Sequence, residues 1–122
     1  MEVCRIKRIL VVDDAIFMRK VLKTMLERNN YKVVGEAENG HAAVKKFISL
    51  NPDIVAMDIA MPIMDGIEAL KVIKQIAPSS NVLMISALEQ KEVLEQAISN
   101  GAKGFIAKPF SEEQVIGALE KL

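Results

Sequence analysis

The chain has one cysteine, Cys4, in a short N-terminal lead-in, so no internal disulfide can form, which fits a reducing compartment. It also lacks an excess of either charge. Sixteen basic residues balance sixteen acidic ones, which removes any overall field that would draw the protein to nucleic acid or an anionic membrane. A charged partner has to be recognised locally. No apolar run reaches the ~20 residues of a membrane span, and Met1 to Arg8 lacks the apolar stretch of a signal peptide. The expectation is a cytoplasmic protein with no membrane insertion and no direct nucleic-acid contact. There is no repeat, low-complexity tract or linker, and 122 residues are the length of one domain, 1–122, with no room for a second core.

What is present is an alternation. Five short, almost continuously apolar runs, Arg8 to Val12, Lys32 to Ala37, Asp53 to Met57, Asn81 to Ile85 and Gly104 to Ala107, read as strands. Continuous apolar character indicates a parallel sheet covered on both faces. Between the strands, Phe17, Val21, Leu22 and Met25 recur at helical spacing, as do Val93, Leu94, Ala97 and Ile98, and Val115, Leu119 and Leu122. These stripes should face the sheet. Ser111 with Gln114 and Asp65 with Glu68 have the spacing of helix-starting capping pairs. Asn39-Gly40 and Asn100-Gly101 read as turns, the second ending the fourth helix. The fold class is therefore α/β. Right-handed crossovers leave few windings for a (βα)₅ chain, and we expect a flavodoxin-like, doubly wound five-stranded sheet of order 2-1-3-4-5. Its ligand crevice lies at the carboxyl ends of the strands, where the winding reverses.

Polar residues follow four of these strands: Asp13 and Asp14 after the first, Asp58 after the third, Ser86 after the fourth and Lys108 after the fifth. The winding gathers them on one rim. At ~4 Å and an effective dielectric of ~20, each pair of like charges costs roughly 4 kcal/mol, so three clustered carboxylates need positive charge among them. Lys108 supplies one, and a hard divalent cation the remainder. Mg²⁺ suits oxygen ligands and phosphate, and without His or Cys nearby zinc does not fit. Asp58 is then the natural nucleophile toward a phosphoryl group, with the cation, Lys108 and the Ser86 hydroxyl on its oxygens.

The blocks "VVDD", "MDIAMPIMDG", "MISA" and "KGFIAKPF" resemble, in order and spacing, the signatures of response-regulator receiver domains, over essentially the whole chain. The family has the strand order chosen above, so the two expectations are not independent. "VVDDAIFMR" with "GEAENG" is most similar to stand-alone members that serve chemotaxis. The resemblance implies a phosphoacceptor switch and not an enzyme, phosphorylated on Asp58 by a histidine kinase. It implies that Asp13 and Asp14 form the acidic pocket and that the Ala60 backbone carbonyl completes the Mg²⁺ ligands. Ser86 and Lys108 would bind phosphoryl oxygens, the Lys108-Pro109 bond would be cis, and Phe105 would be the aromatic switch that turns inward with Ser86. The surface so remodelled would be made by helix 4, strand 5 and helix 5, its target the flagellar motor switch if the pathway is chemotaxis.

Two positions depart from many relatives. Phe105 lacks a tyrosine hydroxyl, and Ala60 replaces a polar side chain near the hydrolytic water, from which we expect slow autodephosphorylation. Other readings also have consequences that can be compared. A receiver cut from a DNA-binding or methylesterase regulator would carry a linker after the fifth helix. A Mg²⁺-dependent phosphohydrolase wants a D-x-D pattern after strand 1 and room for a cap, and a flavin carrier wants a glycine- and hydroxyl-rich loop there. "VVDDAIF" offers neither. His41 reads as a solvated helix residue, the seven methionines as adaptable core filler with Met61 and Met64 near the loop, and Glu112 and Glu113 as suited to the positive end of helix 5.

Overall fold

The computed structural model describes residues 6–87 and 90–122; Cys4 lies outside them. The chain alternates β1 (Arg8–Val12), α1 (Ile16–Arg28), β2 (Lys32–Ala37), α2 (Gly40–Leu50), β3 (Ile54–Met57), α3 (Gly66–Ile76), β4 (Asn81–Ser86), α4 (Lys91–Ser99), β5 (Gly104–Ala107) and α5 (Glu112–Glu120). The strands form one parallel sheet in the order β2-β1-β3-β4-β5, the flavodoxin-like winding expected from the sequence.

Strand side chains alternate between the two faces, and the core divides accordingly. Leu10, Val12, Val55, Met57, Val82 and Met84 pack with Phe47 of α2, Leu70 and Ile73 of α3 and Ala97 of α4. On the other face Ile9, Val11, Ile54, Ala56, Leu83 and Ile85 meet Leu22 and Leu26 of α1 and Val115 and Leu119 of α5. Both faces being covered is why the inner strands β1, β3 and β4 read as nearly continuous apolar runs, whereas β2 at the sheet edge carries Gly35 and Glu36. Burying each Ile, Leu or Met side chain contributes roughly 1.5–3 kcal/mol, so these two layers dominate stability.

Several expectations are corrected. Strand 3 begins at Ile54, one residue late, because the Asp53 carboxylate is used to accept from the Arg8 backbone N–H at 2.8 Å. Strand 4 extends to Ser86, which pairs in register with Ala107 and so belongs to the strand instead of following it. Phe17 is 73% exposed and Ile98 57% exposed, so neither joins the buried stripe of its helix. Asn39-Gly40 starts α2 and is not a separate turn: the Asn39 side chain accepts from the Ala42 N–H at 2.8 Å, an N-cap. The other helix punctuation holds. Asp65 caps α3, Ser111 and Gln114 form a capping box on α5, and Gly101, at φ 97°, follows the C-cap Asn100 of α4.

Candidate phosphoacceptor site

The sheet brings the ends of β1, β3, β4 and β5 to one rim, and the polar residues placed there converge. Asp13, Asp14 and Asp58 each offer a carboxylate oxygen within 4.8 Å of the others, the one such grouping among the described residues. Asp13 and Asp58 are buried at 2% and 7% exposure. Asp14 is exposed, on the solvent side of the group.

Each buried acid is oriented by its neighbours. Asp13 Oδ1 accepts from the Ala15 N–H at 2.9 Å, and Asp58 Oδ1 from the Ile59 N–H at 2.7 Å. The opposite oxygens face one cation. Lys108 Nζ donates to Asp13 Oδ2 at 2.6 Å and to Asp58 Oδ2 at 3.2 Å. Burial disfavours the ammonium, but the hydrogen bond to Asp13 and the charges of Asp58 and Asp13 together outweigh it, so the Lys108 pKa is raised above the usual 10.5. The Lys108 backbone N–H donates to the Ser86 carbonyl at 3.0 Å, and the Lys108-Pro109 peptide bond is cis, as the resemblance implies.

Ser86 is 1% exposed at the end of β4, beside β5. Ala60 is exposed, two residues past Asp58 in the loop to α3. That loop is fixed at its far end by close backbone approach: the Gly66 N–H donates to the Ile59 carbonyl at 2.8 Å, and a Cβ on Gly66 would lie 2.1 Å from the Asp58 carbonyl oxygen. Phe105 is half-buried on the layer that α4 shares, in register with Met84.

The donor set fits a small hard cation. It holds carboxylate oxygens only, and the formal charge of three carboxylates against one ammonium leaves two negative charges for a divalent ion. Asp13, Asp14 and Asp58 would hold Mg²⁺.

The sequence did not single out Arg19, which donates from Nη1 to the Asp13 carbonyl at 2.7 Å and from Nε to Glu36 at 3.0 Å. Nor did it reveal that Gly66 is required for the approach of α3. Arg19 reads as an ordinary helix residue, and only its position one turn after the acid pair could have drawn attention to it.

Three acids, a lysine and a serine at the strand ends of this parallel sheet are the arrangement of a phosphoacceptor domain, and residues 9–120 match the response regulator receiver domain; the chain belongs to that family. Among proteins of known role it is 49% identical to chemotaxis protein CheY of Thermotoga maritima, covering 95% of this chain and 97% of that one. It is 52% identical to CheY of Bacillus subtilis, over 93% and 95%. A chain of the crystal structure of the CheX–CheY–BeF3–Mg+2 complex from Borrelia burgdorferi superposes with a TM-score of 0.91 at 34% identity, covering 94% of this chain and 87% of that one.

Proposed function

We propose that this chain is a phosphorylation-activated switch of two-component chemotaxis signalling. Asp58 accepts a phosphoryl group from the phosphohistidine of a histidine kinase. The P–N bond breaks, a P–O bond to the Asp58 carboxylate forms, and the imidazole keeps the electron pair and takes up a proton. Bound Mg²⁺ supplies charge neutralisation on the phosphoryl oxygens. Asp13, Asp14 and Asp58, with the Ala60 carbonyl, hold it. Lys108 transfers its ammonium from the carboxylates toward a phosphoryl oxygen, and the Ser86 hydroxyl donates to another.

The observation that carries this reading is the convergence of Asp13, Asp14 and Asp58 around a point that Lys108 also reaches. The output follows from where Ser86 sits. Drawn toward the phosphoryl group at the end of β4, Ser86 vacates space beside β5, and the half-buried Phe105 ring turns in. The α4-β5-α5 face then favours its target, which in chemotaxis is the flagellar motor switch. The chain acts as a binding switch whose only chemistry is taking phosphate from kinase or small donors and releasing it. It works in the cytoplasm, where such a kinase presents its histidine. No helix of the described residues is long and apolar enough to cross a membrane.

The test is incubation with acetyl phosphate and Mg²⁺, followed by intact mass. Wild type should gain one phosphoryl group, ~80 Da, only with the metal, and Asp58→Asn should gain none. Uptake by Asp58→Asn, or none by wild type with metal, would overturn the assignment.

A further inference from the structure

Of the three clustered acids, Asp13 and Asp58 are buried and bonded, whereas Asp14 is exposed. Something has to aim Asp14. The Asp13 carbonyl and the Asp14 N–H belong to one planar peptide unit, and the Asp13 oxygen is gripped by Arg19 Nη1 at 2.7 Å from the first turns of α1. Fixing that oxygen fixes the direction in which the chain leaves β1 and therefore where the Asp14 Cα stands.

Arg19 is itself held. Its Nε donates to Glu36 Oε1 at 3.0 Å, and its side chain is 13% exposed. Glu36 reaches α1 because of a register shift. Ile9 pairs with Val33, Leu10 with Gly35 and Val11 with Glu36, so β2 skips one residue between Ile9 and Leu10. Without that shift Glu36 would pair with Val12 and point to the opposite face, toward α2. With it, Glu36 shares the face of Val11, the layer under α1. The Lys46 ammonium meets the Glu36 carbonyl and pins β2 at the same residue.

The pair also settles a charge question. An unpaired guanidinium one turn from the acids would repel a metal ion, and Glu36 matches its charge. The negative charge of Asp13, Asp14 and Asp58 is left to Lys108 and the cation.

We infer that Arg19, held by Glu36, is a positioning residue for the Mg²⁺ pocket, acting through the Asp13-Asp14 peptide and touching neither metal nor phosphoryl group. This rests on the metal-pocket reading above. Partners that orient metal ligands from behind commonly govern affinity by about 10–100-fold.

The experiment is calorimetric titration of wild type, Arg19→Ala, Arg19→Lys and Glu36→Gln with MgCl₂ alone, beside urea unfolding in EDTA. We expect Mg²⁺ binding about tenfold weaker in Arg19→Ala. Arg19→Lys, which can still donate to the Asp13 carbonyl, should recover at least about half of that loss on a logarithmic scale, and Glu36→Gln should weaken binding about threefold. A merely structural role would lower the urea midpoint and leave the Kd of folded protein within about twofold of wild type; that result overturns the inference while the metal pocket stands. If Arg19→Ala does not fold, the titrations of Arg19→Lys and Glu36→Gln decide, and wild-type affinity in both overturns it. A wild type that takes up no Mg²⁺ removes the pocket and this inference together.

Discussion

The Lys108 ammonium stands 2.6 Å from Asp13 and 3.2 Å from Asp58, so one cation from the end of β5 joins acids from the ends of β1 and β3. Removing one partner of a buried ion pair commonly costs ~3–5 kcal/mol. Because the crevice opens to solvent beside Asp14, we expect Lys108→Met to cost about 3 kcal/mol in EDTA. A divalent ion can replace the lost charge, so the deficit should shrink in millimolar Mg²⁺. Urea unfolding under both conditions measures it; a deficit unchanged by Mg²⁺ would contradict the shared ionic cluster.

The same contact has a pH signature. The folded-state pKa of Lys108 is raised above 10.5 by its carboxylate partners, so its contribution is complete below 10.5 and is lost as pH rises through the folded value. The stability difference between wild type and Lys108→Met should be flat at neutral to mildly basic pH and narrow only above 10.5. A difference that narrows between neutral pH and 10.5 would contradict the raised Lys108 pKa.

Gly66 and Gly117 should respond oppositely to alanine. A Cβ at Gly66 meets the Asp58 carbonyl oxygen at 2.1 Å, whereas at Gly117 in α5 nothing lies within 4 Å. Gly66→Ala must push α3 off the phosphoacceptor loop, which we expect to cost ~3 kcal/mol or more and to reduce phosphorylation of what remains folded. Gly117→Ala should gain up to ~1 kcal/mol through helix propensity and a less flexible unfolded chain. Thermal or urea unfolding of the two variants checks both signs.

Ile63 is a β-branched residue at φ 71° that is 82% exposed, inside a tight turn closed by the Met64 N–H on the Pro62 carbonyl at 2.8 Å. Such backbone costs ~1–3 kcal/mol, and an exposed side chain recovers little of it. Ile63→Gly should therefore raise stability by about 1 kcal/mol, the net after glycine's extra unfolded-state entropy. Equal or lower stability would show that the side chain contributes packing that its exposure does not suggest.

Ala60, exposed beside Asp58, offers no polar group to a water approaching the phosphoryl group. We expect phosphorylated wild type to decay more slowly than Ala60→Asn, by about tenfold, since an amide that only positions the water supplies less than the roughly 10²–10⁴-fold of full general acid–base catalysis. Intact mass against time after donor removal reads it, and equal lifetimes would refute it.

The apolar runs marked β1, β3 and β4 most plainly, because a strand covered on both faces needs apolar residues at both parities, whereas β2 at the edge is only half-buried along most of its length. The capping pairs at Asp65 and Ser111 marked their helices because a cap is a contact between residues three apart. Helix faces were less legible. Phe17 and Ile98 fit the periodic stripe yet point to solvent, since period alone does not say how wide a stripe the neighbouring layer covers. The placement of Asp13, Asp14, Asp58, Ser86 and Lys108 could be read because a parallel winding sends every strand end to one rim.

By itself the sequence determined the layers and the set of charged groups at the strand ends, which follow from short-range patterns of apolar and capping residues, while the 2-1-3-4-5 winding came together with the family resemblance. Tertiary structure decided which groups touch. The Lys108 bonds to two acids and the Arg19–Glu36 pair behind Asp13 join residues far apart in the chain. The last of these depends on a one-residue register shift between β1 and β2 that turns Glu36 to the face of α1. Register is settled by the simultaneous packing of whole strands, and no local pattern carries it.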